Sequence, residues 1–142
     1  MTTRAQMSEA TKYEGGHTEL MRAALDGQTE KVKALLESGA NVNETDDEGR
    51  TALMFSVTNM QTDSAKALLE HGADVNVKAK DGSTALMLAA SSGDPEIVQD
   101  LLNKGADLSA KFTQTGKTAM MLAKDKGYTE IVQLLEAAAA KQ

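Results

Sequence analysis

The sequence lacks cysteine and tryptophan altogether, and its 142 residues include one proline, two tyrosines and two phenylalanines. Without cysteine there is no disulfide framework, so nothing favours an oxidising compartment. No stretch approaches the roughly 20 apolar residues of a membrane span, and residues 1–16 lack the apolar run of a secretory signal. We therefore expect a cytoplasmic protein without membrane attachment.

Positive charge is also scarce, with 15 basic residues against 21 acidic ones and a formal net charge of −6. Nucleic-acid binding normally starts from a basic face that neutralises phosphates. We therefore expect no nucleic-acid partner.

What the sequence does contain is an internal repeat. A five-residue segment beginning with Gly-Ala recurs every 33 residues, at 39–43, 72–76 and 105–109. A Thr-x-(Leu/Met)-Met stretch also occurs four times, opening at Thr18, Thr51, Thr84 and Thr118. A fixed period of this length is typical of stacked supersecondary units, none of which can bury its apolar face alone.

Each unit carries the signals of two helices. In the third unit, Thr84 is placed to cap a helix, and Gly93 can adopt the left-handed conformation that ends it. A second helix is predicted to begin at Asp94 and Pro95, an acidic cap followed by a proline, and to end at Lys104. The stretch that follows is predicted to be an extended finger with a turn.

These recurring positions resemble the ankyrin repeat, whose consensus runs D-x-x-G-x-T-P-L-H-x-A-A, then a second helix with paired leucines, then G-A-D-V-N. The resemblance covers Gly16 to about Ala138. It implies an all-α ankyrin-repeat solenoid of four helix-turn-helix units with hairpin fingers. We expect a flexible leader and a repeat domain, at 1–14 and 15–142, with repeats at about 15–45, 46–78, 79–111 and 112–142.

Two departures from the consensus indicate a natural sequence, and we expect a bacterial source. The consensus histidine is methionine in every unit, at Met21, Met54, Met87 and Met121. We interpret this column as core packing rather than a metal or ligand site, because methionine at helical spacing usually fills gaps. In the second unit Met60 replaces the helix-ending glycine. We expect Asn59 to take the left-handed conformation instead, and the turn at 58–63 to be the least regular.

The fourth finger and the two ends also differ. Because Thr84 and Thr118 are 34 residues apart, one extra residue lies in the finger that contains Phe112. We favour packing of Phe112 beneath the finger over a binding role, and keep it as a candidate anchor. Glu136 replaces a leucine, which predicts a polar terminal face, and the alanine-rich tail at 137–142 is predicted to prolong the last helix.

Motifs that suggest chemistry are explained by the repeat. The segment at 115–118 (TGKT) looks like the end of a phosphate-binding loop, but Lys111 stands where that loop needs glycine. His17 and His71 lie at different positions of different units, so we interpret both as surface histidines rather than metal ligands. We therefore expect no catalytic site, no cofactor and no bound metal.

The resemblance implies a concave side formed by finger tips and inner-helix ends, and we expect another protein to bind there. Its finger positions are Asp47, Glu48, Arg50, Lys80, Asp81, Ser83, Gln114 and Lys117. Its helix-end positions are Thr58, Asn59, Ser91, Ser92, Asp125 and Lys126. The candidate anchors are Phe55 and Phe112. The finger of the second unit is acidic, with Asp46 among its charges, and the fingers of the third and fourth units become basic, which would orient a partner.

Three functional classes follow. The first is a monomeric protein-binding module acting as an adaptor, inhibitor or accessory subunit. The second is a structural scaffold that self-associates through its ends or its helical back. The third, an enzyme or small-ligand binder, has the least support, because no acid–base pair or nucleophile stands apart from the repeat pattern.

Overall fold

The computed structural model describes residues 13–141, which form four successive helix pairs. The pairs are α1 (Glu19–Asp26) with α2 (Thr29–Glu37), α3 (Ala52–Thr58) with α4 (Thr62–Glu70), α5 (Ala85–Ser92) with α6 (Pro95–Asn103), and α7 (Ala119–Lys126) with α8 (Thr129–Ala140). The first helix of each pair packs against the first helix of the next, and the second helices pack likewise. The prediction of an all-α solenoid is confirmed.

The predicted caps begin each first helix. The threonine side chain that precedes the helix accepts a hydrogen bond from the backbone N–H three residues later, which satisfies a donor that the helix leaves unpaired. Asp94 caps α6 in the same way, and Pro95 occupies the first helical position. Gly27, Gly93 and Gly127 end three of the first helices in the left-handed conformation.

The methionine column lies in the core, except at its last member. Met21, Met54 and Met87 are 1%, 2% and 0% exposed, whereas Met121 is 49% exposed. In this stack no further pair covers Met121, and Lys124 stands where the equivalent Ala90 is fully buried. Core packing is therefore confirmed for three methionines, and Met121 lies on the terminal face.

The turn after α3 corrects one expectation. Met60, not Asn59, takes the left-handed conformation, with φ of 56° against −96° for Asn59. The turn keeps the hydrogen bonds of the turns at Gly27 and Gly127, here from Met60 N to Val57 O and from Gln61 N to Ser56 O. Stacking fixes where the chain must reverse, so the residue at that position adopts the required φ despite its side chain. The turn is regular, and its cost in folding free energy comes from the left-handed backbone of Met60.

The fourth finger contains the predicted extra residue. Its turn is closed by hydrogen bonds from Gly116 N to Phe112 O and from Phe112 N to Lys117 O, one residue wider than in the two preceding fingers. Phe112 is half-buried and packs against the core, as favoured above. The last helix continues to Ala140 and is capped by Lys141, so the prediction that the tail prolongs it holds for residues 137–140. Most of the predicted leader and Gln142 lie outside the described residues.

The different burial of equivalent methionines predicts different costs of truncation. Met87→Ala removes a fully buried side chain and should lower the free energy of unfolding by about 2–5 kcal/mol. Met121→Ala at the same repeat position should cost less than about 1 kcal/mol, because that side chain is half-exposed. Denaturant unfolding measures both, and equal losses would contradict the placement of Met121 on an end face.

Met60 predicts a stabilising substitution. Met60→Gly should raise the free energy of unfolding by about 0.5–1 kcal/mol, because relief of the left-handed strain exceeds the added chain entropy of glycine. Gly127→Ala is the matched control, since Gly127 has φ of 74° and an added Cβ would meet no atom within 4 Å. It should lose about 1 kcal/mol through backbone strain alone. A destabilised Met60→Gly would show that the Met60 side chain contributes more than its backbone costs.

Candidate functional site

The four fingers form one continuous row. They are Tyr13–His17, Asp46–Arg50, Ala79–Ser83 and Phe112–Lys117, and each is closed by a hydrogen bond between its own backbone groups. Neighbouring fingers are joined by backbone bonds from Asp47 N to Gly15 O at 2.8 Å, Lys80 N to Glu48 O at 2.9 Å and Thr113 N to Asp81 O at 2.9 Å. Among residues 13–141 the row begins at Tyr13, which we assigned to the leader and which hydrogen-bonds with His17 and Gly16 in the first of these fingers.

Side chains at the helix ends join the same neighbours. Asn59 Nδ2 donates to Leu25 O at 3.1 Å, and Ser92 Oγ donates to Thr58 O at 3.4 Å. Asn59 and Ser92 were predicted as partner contacts. The hydrogen bonds show that each residue fixes the spacing between successive first helices of the pairs, which we call the inner helices.

Fingers and inner-helix ends lie on one side of the stack. In the last pair, Lys117 Nζ of the finger contacts Asp125 Oδ2 in the final turn of α7 at 2.5 Å. In the second pair, the Arg50 guanidinium lies 4.9 Å from the centre of the Phe55 ring, on α3. We call the finger row, together with the exposed sides of α1, α3, α5 and α7, the inner surface. It corresponds to the predicted concave side.

Most of the predicted contact residues are accessible on the inner surface. The exposed ones are Asp47, Glu48, Thr58, Asn59, Lys80, Asp81, Gln114, Lys117, Asp125 and Lys126. The half-buried ones are Arg50, Phe55, Ser91, Ser92 and Phe112. Ser83 is only 3% exposed, so its prediction as an exposed finger position is wrong.

Ser83 is buried because its side chain hydrogen-bonds within its own finger. Its Oγ donates to Asp81 Oδ1 at 2.6 Å, and its backbone N donates to the same oxygen at 3.0 Å. Partial burial raises the pKa of Asp81, but these bonds and the nearby Arg50 guanidinium outweigh it, so that the pKa lies below its ordinary value. Asp81 is therefore a fixed negative charge at neutral pH.

Asp46, which we counted among the charges of its acidic finger, is buried. Its side chain is 0% exposed. Oδ1 accepts from the backbone N of Glu48 at 2.9 Å and of Arg50 at 2.8 Å, and Oδ2 accepts from Arg50 Nε at 3.0 Å. Asp46 thus shapes its finger and orients Arg50, so the acidic charge of this finger tip comes from Asp47 and Glu48.

His17 belongs to the same cluster and was missed as a site residue. Its Nε2 lies 3.3 Å from Asp46 Oδ2, and its ring meets Phe55 edge-on with centroids 5.3 Å apart. A signal was present in the sequence, because His17 directly precedes the capping threonine, as Arg50 and Lys117 do. That repeat position faces the inner surface wherever its side chain is long.

An apolar row runs along the floor of the inner surface. Phe55, Leu88 and Leu122 occupy the same repeat position, four residues after the capping threonine, and all three are half-buried against the core. In the first pair the equivalent residue is Arg22, whose guanidinium lies 4.1 Å from the centre of the Tyr13 ring. The floor therefore changes from cationic and aromatic at the first pair to aliphatic at the last.

The discounted motifs have structural roles. Lys117, the lysine of the apparent phosphate loop, is paired with Asp125. His71 is exposed, and its Nδ1 lies 2.9 Å from Ala67 O. Within residues 13–141 no group of three or more acidic or histidine side chains could hold a metal ion. In the same range, no helix combines the length and apolar character needed to cross a bilayer.

The family is shown by comparison with known proteins. A family model for ankyrin repeats, comprising three copies, matches residues 4–79 and again 76–141. These matches span nearly the whole sequence, so the chain belongs to the ankyrin repeat family. No curated protein matches it significantly. Ankyrin repeats generally mediate protein–protein interactions, as the resemblance implied.

The buried cluster predicts opposite behaviour for two adjacent aspartates. Asp46→Asn should lower the free energy of unfolding by about 1–3 kcal/mol, because the new amide cannot accept the same set of donors and Arg50 loses its counter-charge. Asp47→Asn, at an exposed position, should change it by no more than about 0.5 kcal/mol. Denaturant unfolding compares the two. Equal losses of unfolding free energy would show that Asp46 contributes no more to stability than the exposed Asp47.

Proposed function

We propose that this protein binds another protein through its inner surface, presenting a rigid concave face without chemistry of its own. The observation that carries the proposal is the continuous row of fingers. Three backbone hydrogen bonds between fingers and two side-chain bonds between helix ends hold the inner surface in one arrangement. A surface that is ordered before binding loses little entropy when a partner docks.

The composition of the surface also supports protein binding. Arginine and aromatic side chains are enriched among residues that dominate interfaces, and Arg22, Arg50, Tyr13 and Phe55 meet here in two cation–π contacts. Around them lie exposed charges, on Asp47, Glu48 and Lys80, of the kind that form an interface rim. A standard interface would bury about 800 Å² on each partner.

The finer predictions remain part of this proposal. They are four repeats within 15–142, a monomeric state, a cytoplasmic location, a bacterial source, and a role as adaptor, inhibitor or accessory subunit. The monomeric state is supported by polar end faces, since Lys31 pairs with Glu19 at 3.3 Å on the first pair and Lys124 and Glu136 are exposed on the last. Self-assembly as a scaffold is the second candidate, because Met121 is half-exposed on the end face.

A charge-reversed variant tests the location of the binding surface. The triple variant Asp47→Lys, Glu48→Lys, Lys80→Glu changes three exposed finger residues whose side chains make no ion pair within residues 13–141. Partners captured from lysate of the source organism by the unaltered protein should be reduced at least about tenfold with this variant, because complementary charge becomes repulsive. Quantitative mass spectrometry of the captured proteins gives the measurement.

The control places the same charge reversals in or directly after the second helices of the pairs, α2, α4, α6 and α8, which we call the outer helices. Glu70→Lys, Glu130→Lys, Lys104→Glu makes the same change in net charge at exposed positions, and it should capture the same partners as the unaltered protein. Both variants should keep the original melting temperature. Loss of partners only with the outer-helix variant would transfer the binding surface to the opposite side. Concentration-dependent light scattering of the unaltered protein would favour the scaffold alternative.

A further inference from the structure

Asp100 is an ionisable residue at a repeat position that is otherwise apolar. Its equivalents, sixteen residues after the capping threonine, are Ala34, Ala67 and Leu134. Ala67 is 2% exposed, and Leu134 packs against the core. The fold therefore accepts an apolar side chain at this position, and α6 carries a carboxylate there instead.

This carboxylate lacks the partners that a buried charge usually has. The Oδ2 atom of Asp100 is buried, and it has no hydrogen-bond partner among residues 13–141. In the same range the side chain makes no ion pair. A carboxylate oxygen that is removed from water without a donor costs folding free energy. Its presence therefore calls for a donor that this part of the chain does not supply.

Asp100 lines a cavity of about 240 Å³ between α4 and α6, which we call the outer groove. This volume lies below the roughly 300–1,000 Å³ of pockets for drug-sized ligands, so the outer groove suits a smaller molecule. Leu69, which is 6% exposed, supplies an apolar floor. The lining residues are Lys66, Leu69, Glu70, Asp100, Asn103 and Lys104.

The outer groove presents charges of both signs. Lys66 Nζ is hydrogen-bonded to Glu96 Oε1, and this bond, with a contribution from Asp100, holds the pKa of Lys66 above its ordinary value. Lys66 therefore lies near Asp100 but donates to another carboxylate. Glu70 and Lys104 are exposed, and neither makes an ion pair within residues 13–141. Two carboxylates and one ammonium group are thus available to a ligand.

We propose that the outer groove binds a free amino acid. The ammonium group of the ligand donates to Asp100, with Glu70 as a second negative charge, and its carboxylate pairs with Lys104. Asp100 and Lys104 are four residues apart and so lie side by side on α6, as the two charged groups of an amino acid do. A ligand of zero net charge fits better than a simple cation or anion, because either of these would meet a like charge.

The site goes beyond the proposed function and does not depend on it. It lies on the outer helices, whereas the proposed protein partner docks on the inner surface. Binding of an amino acid there needs no change in the fingers.

Thermal unfolding of the full-length protein with each standard amino acid tests the proposal. At least one amino acid should raise the melting temperature, because a ligand that binds only the folded state stabilises it. Calorimetry then gives the Kd of that amino acid and of its two analogues that lack either the amino or the carboxyl group. Each analogue should bind roughly tenfold or more weakly, since one charged contact is lost.

Variants of the lining residues locate the site. Asp100→Asn and Lys104→Gln should each raise Kd about tenfold or more, because each removes the charge that pairs with one end of the ligand. The matched controls Glu130→Gln and Lys33→Gln make the same chemical changes elsewhere on the outer helices and should leave Kd within about twofold.

A second variant separates binding from folding. Asp100→Leu should lose the ligand but keep or raise the melting temperature of the ligand-free protein, because it removes the unpaired oxygen and introduces the residue that the last unit carries at Leu134. A marked fall in that melting temperature would show that Asp100 is structural, with a bridging water as the donor to Oδ2, and would overturn the site.

The other outcomes are equally distinct. The proposal fails if no amino acid raises the melting temperature, or if the rise is the same in Asp100→Asn as in the unaltered protein. Analogues that bind as tightly as the amino acid would also overturn it. None of these results bears on capture of a protein partner by the inner surface, which the finger variants test separately.

Discussion

One backbone amide in each of the last three fingers donates to a carbonyl of the finger before it. The arrangement of the inner surface depends on these hydrogen bonds. A single helix pair has too little apolar area to fold alone, so its neighbours complete its core. Stacking buries Leu20, Leu53 and Leu86 almost completely. The finger bonds then fix the separation of the pairs on one side of the stack, and Asn59 and Ser92 fix it at the helix ends.

Hydrogen bonds also join the connectors that follow the outer helices. Asn43 Oδ1 accepts from Asp74 N at 2.7 Å, and its Nδ2 donates to Gly72 O at 3.4 Å. Asn76 makes the equivalent bonds to Asp107 N and Gly105 O. Both sides of the stack are therefore held by polar contacts between units, while the apolar core supplies most of the favourable free energy.

The fold could be predicted from the sequence because its determinants are local and recur. Each capping threonine and each buried leucine is repeated at a fixed spacing, so Thr84 and Leu86 could be assigned with the support of their equivalents. Where the unit departs from its pattern, the prediction depended on propensity alone. Asn59 has the better left-handed propensity, but the position of the reversal is set by stacking, and Met60 occupies that position.

The candidate site was harder to predict, because it depends on contacts between units. The repeat position of Ser83 is exposed when its side chain is long, as in Arg50 and Lys117, and buried when it is a serine bonded to Asp81. Asp46 and Asp47 are adjacent and chemically identical, and only the folded finger makes one a buried acceptor and the other a surface charge. The register predicted Asp47 as an exposed finger position, but it did not reveal which donors Asp46 would accept from, namely Glu48 N, Arg50 N and Arg50 Nε.

The half-exposed Met121 has a consequence for the dynamics of the array. The last pair has one neighbour, and a side chain that is fully buried in the preceding pair is exposed to water there. Local opening should therefore begin at α7 and α8, and backbone amides in that pair should exchange with solvent faster than those in α3 to α6. The fingers and helices at the centre of the stack would then form the part of the inner surface that fraying of the end seldom disturbs.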